Sequence, residues 1–166
     1  ALDEIGYEVP VTQVDTNLYD PAYLEAAGAA ADGTYVRIGL WPFEEADQNP
    51  ATRQYLDLVA GVDGKAAAFG VGAFSGWLLF TELARDCDVA GDLTRSCILD
   101  AAAEVHEWTG GGLHGATDPG NNEPSPCLIM MQVEDGGFVR SDLTPADEGG
   151  GFDCDPANLV EVDPPA

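Results

Sequence analysis

The sequence predicts an α/β fold on three observations. Between Val9 and Leu40 a strand-like run, an Ala-rich helical run and a second strand-like run follow one another. A long apolar helical stretch covers residues 66–85, and Cys127–Arg140 reads as two strands around an Asp-Gly bend. Strand, helix, strand at the first spacing is a βαβ unit, which implies parallel strands joined by a right-handed crossover.

Each element has its local reason. Ala1–Gly6 reads as the last turn of a helix with Gly6 as its C-cap, so the chain is expected to be the C-terminal piece of a longer polypeptide. Val9–Asp15 is a short strand with Pro10 near its start, and Thr16–Tyr19 is a loop. Asp20 can cap a helix whose first position is Pro21, running from Ala22 to Ala31 and ending near Asp32 and Gly33. Thr34–Leu40 is β-branched and aromatic, hence a strand. Pro42 excludes its continuation as a central strand, so Trp41–Glu45 reads as an irregular link.

Asn49 and Pro50 open a second helix to about Val62. The third, from about Ala66 to Arg85, is apolar nearly all round, which predicts an interior position between layers. Its near-apolar part contains three glycines and is too short to span a membrane. Asp92 or Thr94 caps a fourth helix to about Trp108, and Gly110–Gly112 ends the helical region. Thr117–Pro126 reads as an extended connector. Cys127–Glu134 and Phe138–Arg140 form a β-hairpin around Asp135 and Gly136. The tail from Gly149 has little periodicity, and no internal repeat is visible.

A length of 166 residues is enough for one domain with its own core, and 45% apolar residues mark a globular chain. The 30 acidic residues against 6 basic ones, net charge −24, exclude nucleic acid and anionic membrane as partners, because phosphate recognition needs clustered Lys and Arg. No calcium-loop pattern occurs, so the acids read as a solvated surface. Four cysteines allow three connectivities. The local pairing Cys87 with Cys97 and Cys127 with Cys154 is favoured, because each pair brackets a turn. None stands in Cys-x-x-Cys spacing, so the set points to disulfides in an oxidising compartment rather than to zinc.

No catalytic set emerges. Gly70 and Gly72 lie inside a helix instead of after a strand, so they are no dinucleotide loop. Ser75 lacks the strand and first glycine of a nucleophile elbow. His106 and His114, with Glu104 and Glu107 nearby, miss the spacing of a His-Glu-x-x-His zinc site. Glu44 and Glu45 read as solvated acids in a loop rather than a glycosidase pair. No enzyme, cofactor or metal is expected.

The order of weaker motifs carries a family resemblance: Ala31–Arg37, Phe43 with Glu44 and Glu45, the apolar helix, Leu93–Arg95 with flanking cysteines, Cys127–Val133, Gly137–Arg140 and Phe152–Cys154. Across essentially the whole chain these resemble the final part of a type I periplasmic substrate-binding protein, nearest to the branched-chain amino-acid (Leu/Ile/Val) receptors of ABC transporters. The resemblance implies two α/β lobes with hinge crossings and a ligand clamped between them. Residues 1–36 would end the second lobe, 37–115 would complete the first, and 116–166 would return to the second with the terminal hairpin.

It also implies site residues. Phe69 stands where the family places an aromatic wall against an aliphatic ligand side chain. Asp15, Thr16 and Asn17 stand where a family acid contacts the ligand ammonium, with Asp15 or Asn17 in that position. Tyr19 and Trp41 would line the cleft or hinge. The implied ligand is a branched-chain amino acid or related amide, the implied partner an ABC permease, and the location periplasmic or cell-surface. A ligand-sensing domain of the same fold and a secreted enzyme are the competing readings.

Overall fold

The computed structural model describes residues 5–7, 9–144 and 151–160. Four strands form one sheet in the order β1-β2-β3-β4. β1 (Gln13–Asp15) runs parallel to β2 (Tyr35–Ile38), and the connection between them carries helix α1 (Pro21–Ala27), as the βαβ reading requires. β3 (Ile129–Glu134) lies antiparallel between β2 and β4 (Gly137–Arg140). The sheet is therefore mixed, a parallel pair extended by a hairpin.

Alternation along the strands selects the core face. Val36, Ile38, Ile129 and Met131 are fully buried and, with Val133, Phe138, Tyr19 and Leu113, make the central cluster. Tyr35, Arg37, Met130 and Gln132 fall on the opposite, half-buried face. The hairpin turns on Asp135 (φ +50°) and Gly136 (φ +77°), two left-handed residues that give the twist a two-residue loop needs.

The predicted caps form. The Asp20 carboxylate accepts the Ala22 N–H at 2.8 Å with Pro21 in the first turn, and Asn49 Oδ1 accepts the Thr52 N–H at 3.0 Å at the start of α2 (Pro50–Ala60). Thr94, not Asp92, caps α4 (Arg95–Ala103) through the Cys97 N–H at 3.2 Å. Disulfides join Cys87 to Cys97 and Cys127 to Cys154, the local pairing. The first locks α3 (Ala68–Val89) against α4; the second holds the tail beside β3, where Leu128 and Asp153 exchange two backbone hydrogen bonds.

Several expectations are corrected. The first strand covers only Gln13–Asp15, the residues that pair in register with Tyr35–Arg37 of β2. The helix expected from Ala22 to Ala31 ends at Ala27 and tightens into a 3₁₀ turn over Gly28–Ala31, since Gly28 leaves helical geometry at φ +54°. The third helix runs four residues past Arg85, to Val89, and is not interior all round. Phe69, Trp77 and Phe80 are exposed, and only Ala68, Val71, Ser75 and Cys87 are buried. An all-apolar circumference states what the helix tolerates, whereas burial needs a packing partner, and none covers that face among the described residues.

The fourth helix stops at Ala103 instead of Trp108, as the chain turns so that Trp108 can pair with Thr117. The 117–126 segment is not extended. It folds back on itself through the Asp118–Glu123 bridge. The terminal helix read over residues 1–5 lies almost wholly outside the described residues.

Candidate functional site

The carboxyl ends of β1 and β2 point the chain into a shared crevice. Thr16 follows β1, and Gly39 and Leu40 follow β2; the first turn of α3 supplies Ala68, Val71 and Gly72 on the other side. His114, Gly115, Thr117 and Ser125 complete a cavity of about 300 Å³. Open α/β sheets bind ligands outside the carboxyl ends of their strands, so this is where a site is expected.

Close packing shapes the wall. Tyr55 sits beneath the start of α3 and donates its hydroxyl proton to the Ala67 carbonyl at 3.2 Å. A Cβ on Gly70 would fall 2.2 Å from that hydroxyl, so only glycine lets the two meet. Leu40 and His114 form an antiparallel bridge, and the Trp41 N–H donates to the Leu113 carbonyl at 2.9 Å. Two segments distant in sequence thus run side by side as a ribbon along the crevice.

A hydrogen-bond chain anchors that ribbon to α3. His114 Nδ1 faces the Gly115 carbonyl at 2.8 Å and can only donate to it, so Nε2 accepts the Ser75 hydroxyl proton at 2.7 Å. The Ser75 oxygen in turn accepts the Trp108 indole N–H at 2.8 Å. The pair superficially has the form of a nucleophile and a base, but Ser75 is 3% exposed and a backbone carbonyl stands where an orienting carboxylate would be. Its polar atoms are occupied in holding the wall. The crevice hydroxyls are engaged too: Thr16 donates to the Arg37 carbonyl at 2.9 Å, Thr117 donates to the Trp108 carbonyl at 3.1 Å, and the Ser125 oxygen accepts the Cys127 N–H at 3.1 Å. The lining is therefore mostly apolar in what it offers a ligand.

The sequence-predicted residues scatter around this crevice. Thr16 lines it. Asp15 ends β1 beside it and uses Oδ1 to accept the Thr16 N–H at 2.7 Å, while Asn17 is exposed on the following 3₁₀ turn. Phe69 projects from the first turn of α3 at 75% exposure, next to lining residue Ala68 but not itself in the lining. Trp41 lines a separate cavity of about 370 Å³ on the other side of the ribbon, where Phe152 packs edge-on against it. Tyr19 lies in the core at 2% exposure, with its hydroxyl donating to Glu44 and accepting the Phe43 N–H at 2.7 Å.

Glu44 and Glu45 are not idle surface acids. Loss of water around Glu44 pushes its carboxyl above the usual glutamate range. Burial, then the Glu44 charge, drives the Tyr19 hydroxyl upward. Glu45 pairs with Arg140. His106 bonds Asp118 at 2.9 Å, clasping the 117–123 turn, and the Asn121 N–H holds the Asp118 carboxyl below its usual range ahead of His106. His114, Leu40 and Ser125 were not read from sequence as site residues. Only the pairing of 40 with 114 brings them together, and neither segment carries a sign of it.

A family model described as periplasmic binding protein matches residues 1–137. The chain belongs to the periplasmic binding protein family. Two solved structures share its fold. One is a leucine binding protein, LivK, from Thermotoga maritima, with a TM-score of 0.61 and 13% identity over 84% of this chain. The other is a branched chain amino acid ABC transporter protein from Thermus thermophilus with bound valine, with a TM-score of 0.64 and 16% identity over 84% of this chain. This chain spans 38% and 40% of their lengths. It is thus a mixed α/β part of the type I periplasmic-binding-protein fold. No curated protein sequence matches it.

Proposed function

We propose that the chain is part of the extracytoplasmic solute-binding component of an ABC importer, which takes a small amino-acid-like ligand between two lobes and delivers it to a membrane permease. The observation that carries this reading is the crevice of about 300 Å³ at the carboxyl ends of the parallel pair β1–β2, bordered by the first turn of a 22-residue helix. Its hydroxyls and imidazole are engaged within the protein, which suits an apolar ligand side chain. Leucine and valine binders share the fold, in keeping with that chemistry. The two disulfides support a periplasmic or cell-surface location. The paired crossings at Leu40–His114 suit a hinge between lobes divided near residues 36 and 115, and the buried, carboxylate-free Ser75–His114 pair supports binding over turnover.

The test is a thermal-shift screen of the complete protein against amino acids, amides, urea and short peptides, followed by small-angle scattering with any hit. A ligand at a hundredfold excess over its Kd is expected to stabilise by about 2.7 kcal/mol and to compact the molecule. Silence across the panel with unchanged dimensions would sink the reading.

A further inference from the structure

We propose that the cavity of about 370 Å³ behind the Leu40–His114 ribbon is an accessory binding site for a small uncharged molecule that carries one aromatic ring and a hydrogen-bond acceptor. This site is separate from the receptor reading above and does not depend on what the crevice holds.

The cavity lies back to back with the crevice. His114 and Gly115 line both, so the two share a wall. The opposite wall is the tail, which supplies Phe152 and Cys154. That wall is fastened by the Cys127–Cys154 disulfide and by the paired backbone of Leu128 and Asp153. Arg140 adds a hydrogen bond to the Gly151 carbonyl at 2.6 Å, and the Asn158 side chain donates to the Pro126 carbonyl at 3.1 Å. The shared wall is equally fixed, because Cys127 packs on Gly115 and leaves no room for a Cβ there. The fold therefore holds the space open. A dry apolar cavity of about 150 Å³ already takes up benzene.

The lining selects the guest. Although 22% of the chain is charged, no Asp, Glu, Lys or Arg among the described residues lines this cavity. The Arg140 guanidinium that packs over Trp41 is already paired with Glu45. A charged guest would leave water without gaining a counter-charge, which excludes free amino acids from this site. Trp41 and Phe152 meet edge-on with ring centroids 5.9 Å apart, the arrangement aromatic rings favour, and a third ring extends it. Asn49 and His114 spend their polar atoms inside the protein. Asn49 accepts the Thr52 N–H and donates to the Gly112 carbonyl, while His114 bonds the Gly115 carbonyl and Ser75. Thr109 differs. Its oxygen accepts the Gly112 N–H at 3.2 Å, and its hydroxyl proton has no acceptor among the described residues. One uncommitted donor in an apolar lining is what orients a small guest.

The test is a fluorine NMR titration of the complete protein with 4-fluorobenzyl alcohol, with intermolecular NOEs to place the probe. Saturable binding with a Kd of about 1 mM or tighter is expected. NOEs should reach the Trp41 and Phe152 rings and the Ala116 methyl, and should miss the Val71 methyls, which line the crevice alone. Ala116→Phe, at an exposed position of the lining, should weaken the probe roughly tenfold or more, and Thr109→Val about fivefold. The carboxylate analogue 4-fluorobenzoate should not saturate. NOEs to Val71 in place of Trp41 would put the probe in the crevice and overturn the accessory site. So would a lack of saturation, undiminished binding by Ala116→Phe, or 4-fluorobenzoate binding as tightly as the alcohol. Full affinity in Thr109→Val would strike the acceptor from the guest's description.

Discussion

Glu45 and Arg140 meet across 95 residues of chain through two parallel hydrogen bonds, Nε to Oε1 at 2.8 Å and Nη2 to Oε2 at 2.7 Å. Their side chains are only 17% and 8% exposed, and the guanidinium also donates to the Gly151 carbonyl at 2.6 Å and packs over Trp41. The pair therefore ties β4, the tail and the link after β2 into one unit.

Removing one partner strands the other charge in low dielectric. Arg140→Ala is expected to destabilise by about 3–5 kcal/mol in chemical denaturation. Replacing both residues with apolar ones of similar volume should recover much of that loss. A cost near zero for the single variant would show that the pair is solvated in solution.

The Trp108–Ser75–His114 chain gives a second expectation. Ser75→Ala leaves an indole N–H and an imidazole nitrogen without partners and should cost about 1–3 kcal/mol. Gly110→Ala should cost about 2 kcal/mol or more, because Gly110 sits at φ +62° and its Cβ would lie 2.6 Å from the Ser75 oxygen. Hydrolysis of p-nitrophenyl acetate is expected to be the same for wild type and Ser75→Ala; a selective loss in the variant would revive a catalytic role.

The carboxyl groups pull stability in opposite directions with pH. Asp20, held down chiefly by the Lys65 hydrogen bond, and Asp118, held down by the Asn121 N–H, stabilise the fold above the ordinary aspartate range near 3.9, and that contribution fades as pH falls through their lowered values. Glu44 behaves oppositely. Its raised value means folding favours the protonated form, so stability drops as pH climbs from about 4.3 through that value. Denaturation of Glu44→Gln across this interval should lack that drop, and Asp118→Asn should show a shallower acid limb.

Thiol chemistry checks the bridges. Cys87→Ser is expected to expose one new thiol, at Cys97, when labelled with a maleimide and mapped by mass spectrometry. Label on Cys127 or Cys154 instead would contradict the pairing. The loops closed span 10 and 27 residues, for which chain entropy gives about 2.7 and 3.5 kcal/mol respectively, so losing Cys127–Cys154 should lower the melting temperature more.

What the sequence by itself determined is local. Asp20 with Pro21, Asn49 with Pro50, Asp135 with Gly136 and the two short-loop disulfides could be read because backbone preference and capping act between near neighbours. The order of those elements was enough for the α/β class and the family. Glu44 and Glu45 looked like surface acids because nothing near them in sequence is basic, and their partners Tyr19 and Arg140 arrive from 25 and 95 residues away. The crevice is tertiary for the same reason: Thr16, Ala68, His114 and Ser125 share it only because the ribbon at Leu40–His114 brings distant segments side by side. The exposure of Phe69 and Trp77 was decided there as well, since an apolar helix face is buried only where another element reaches it.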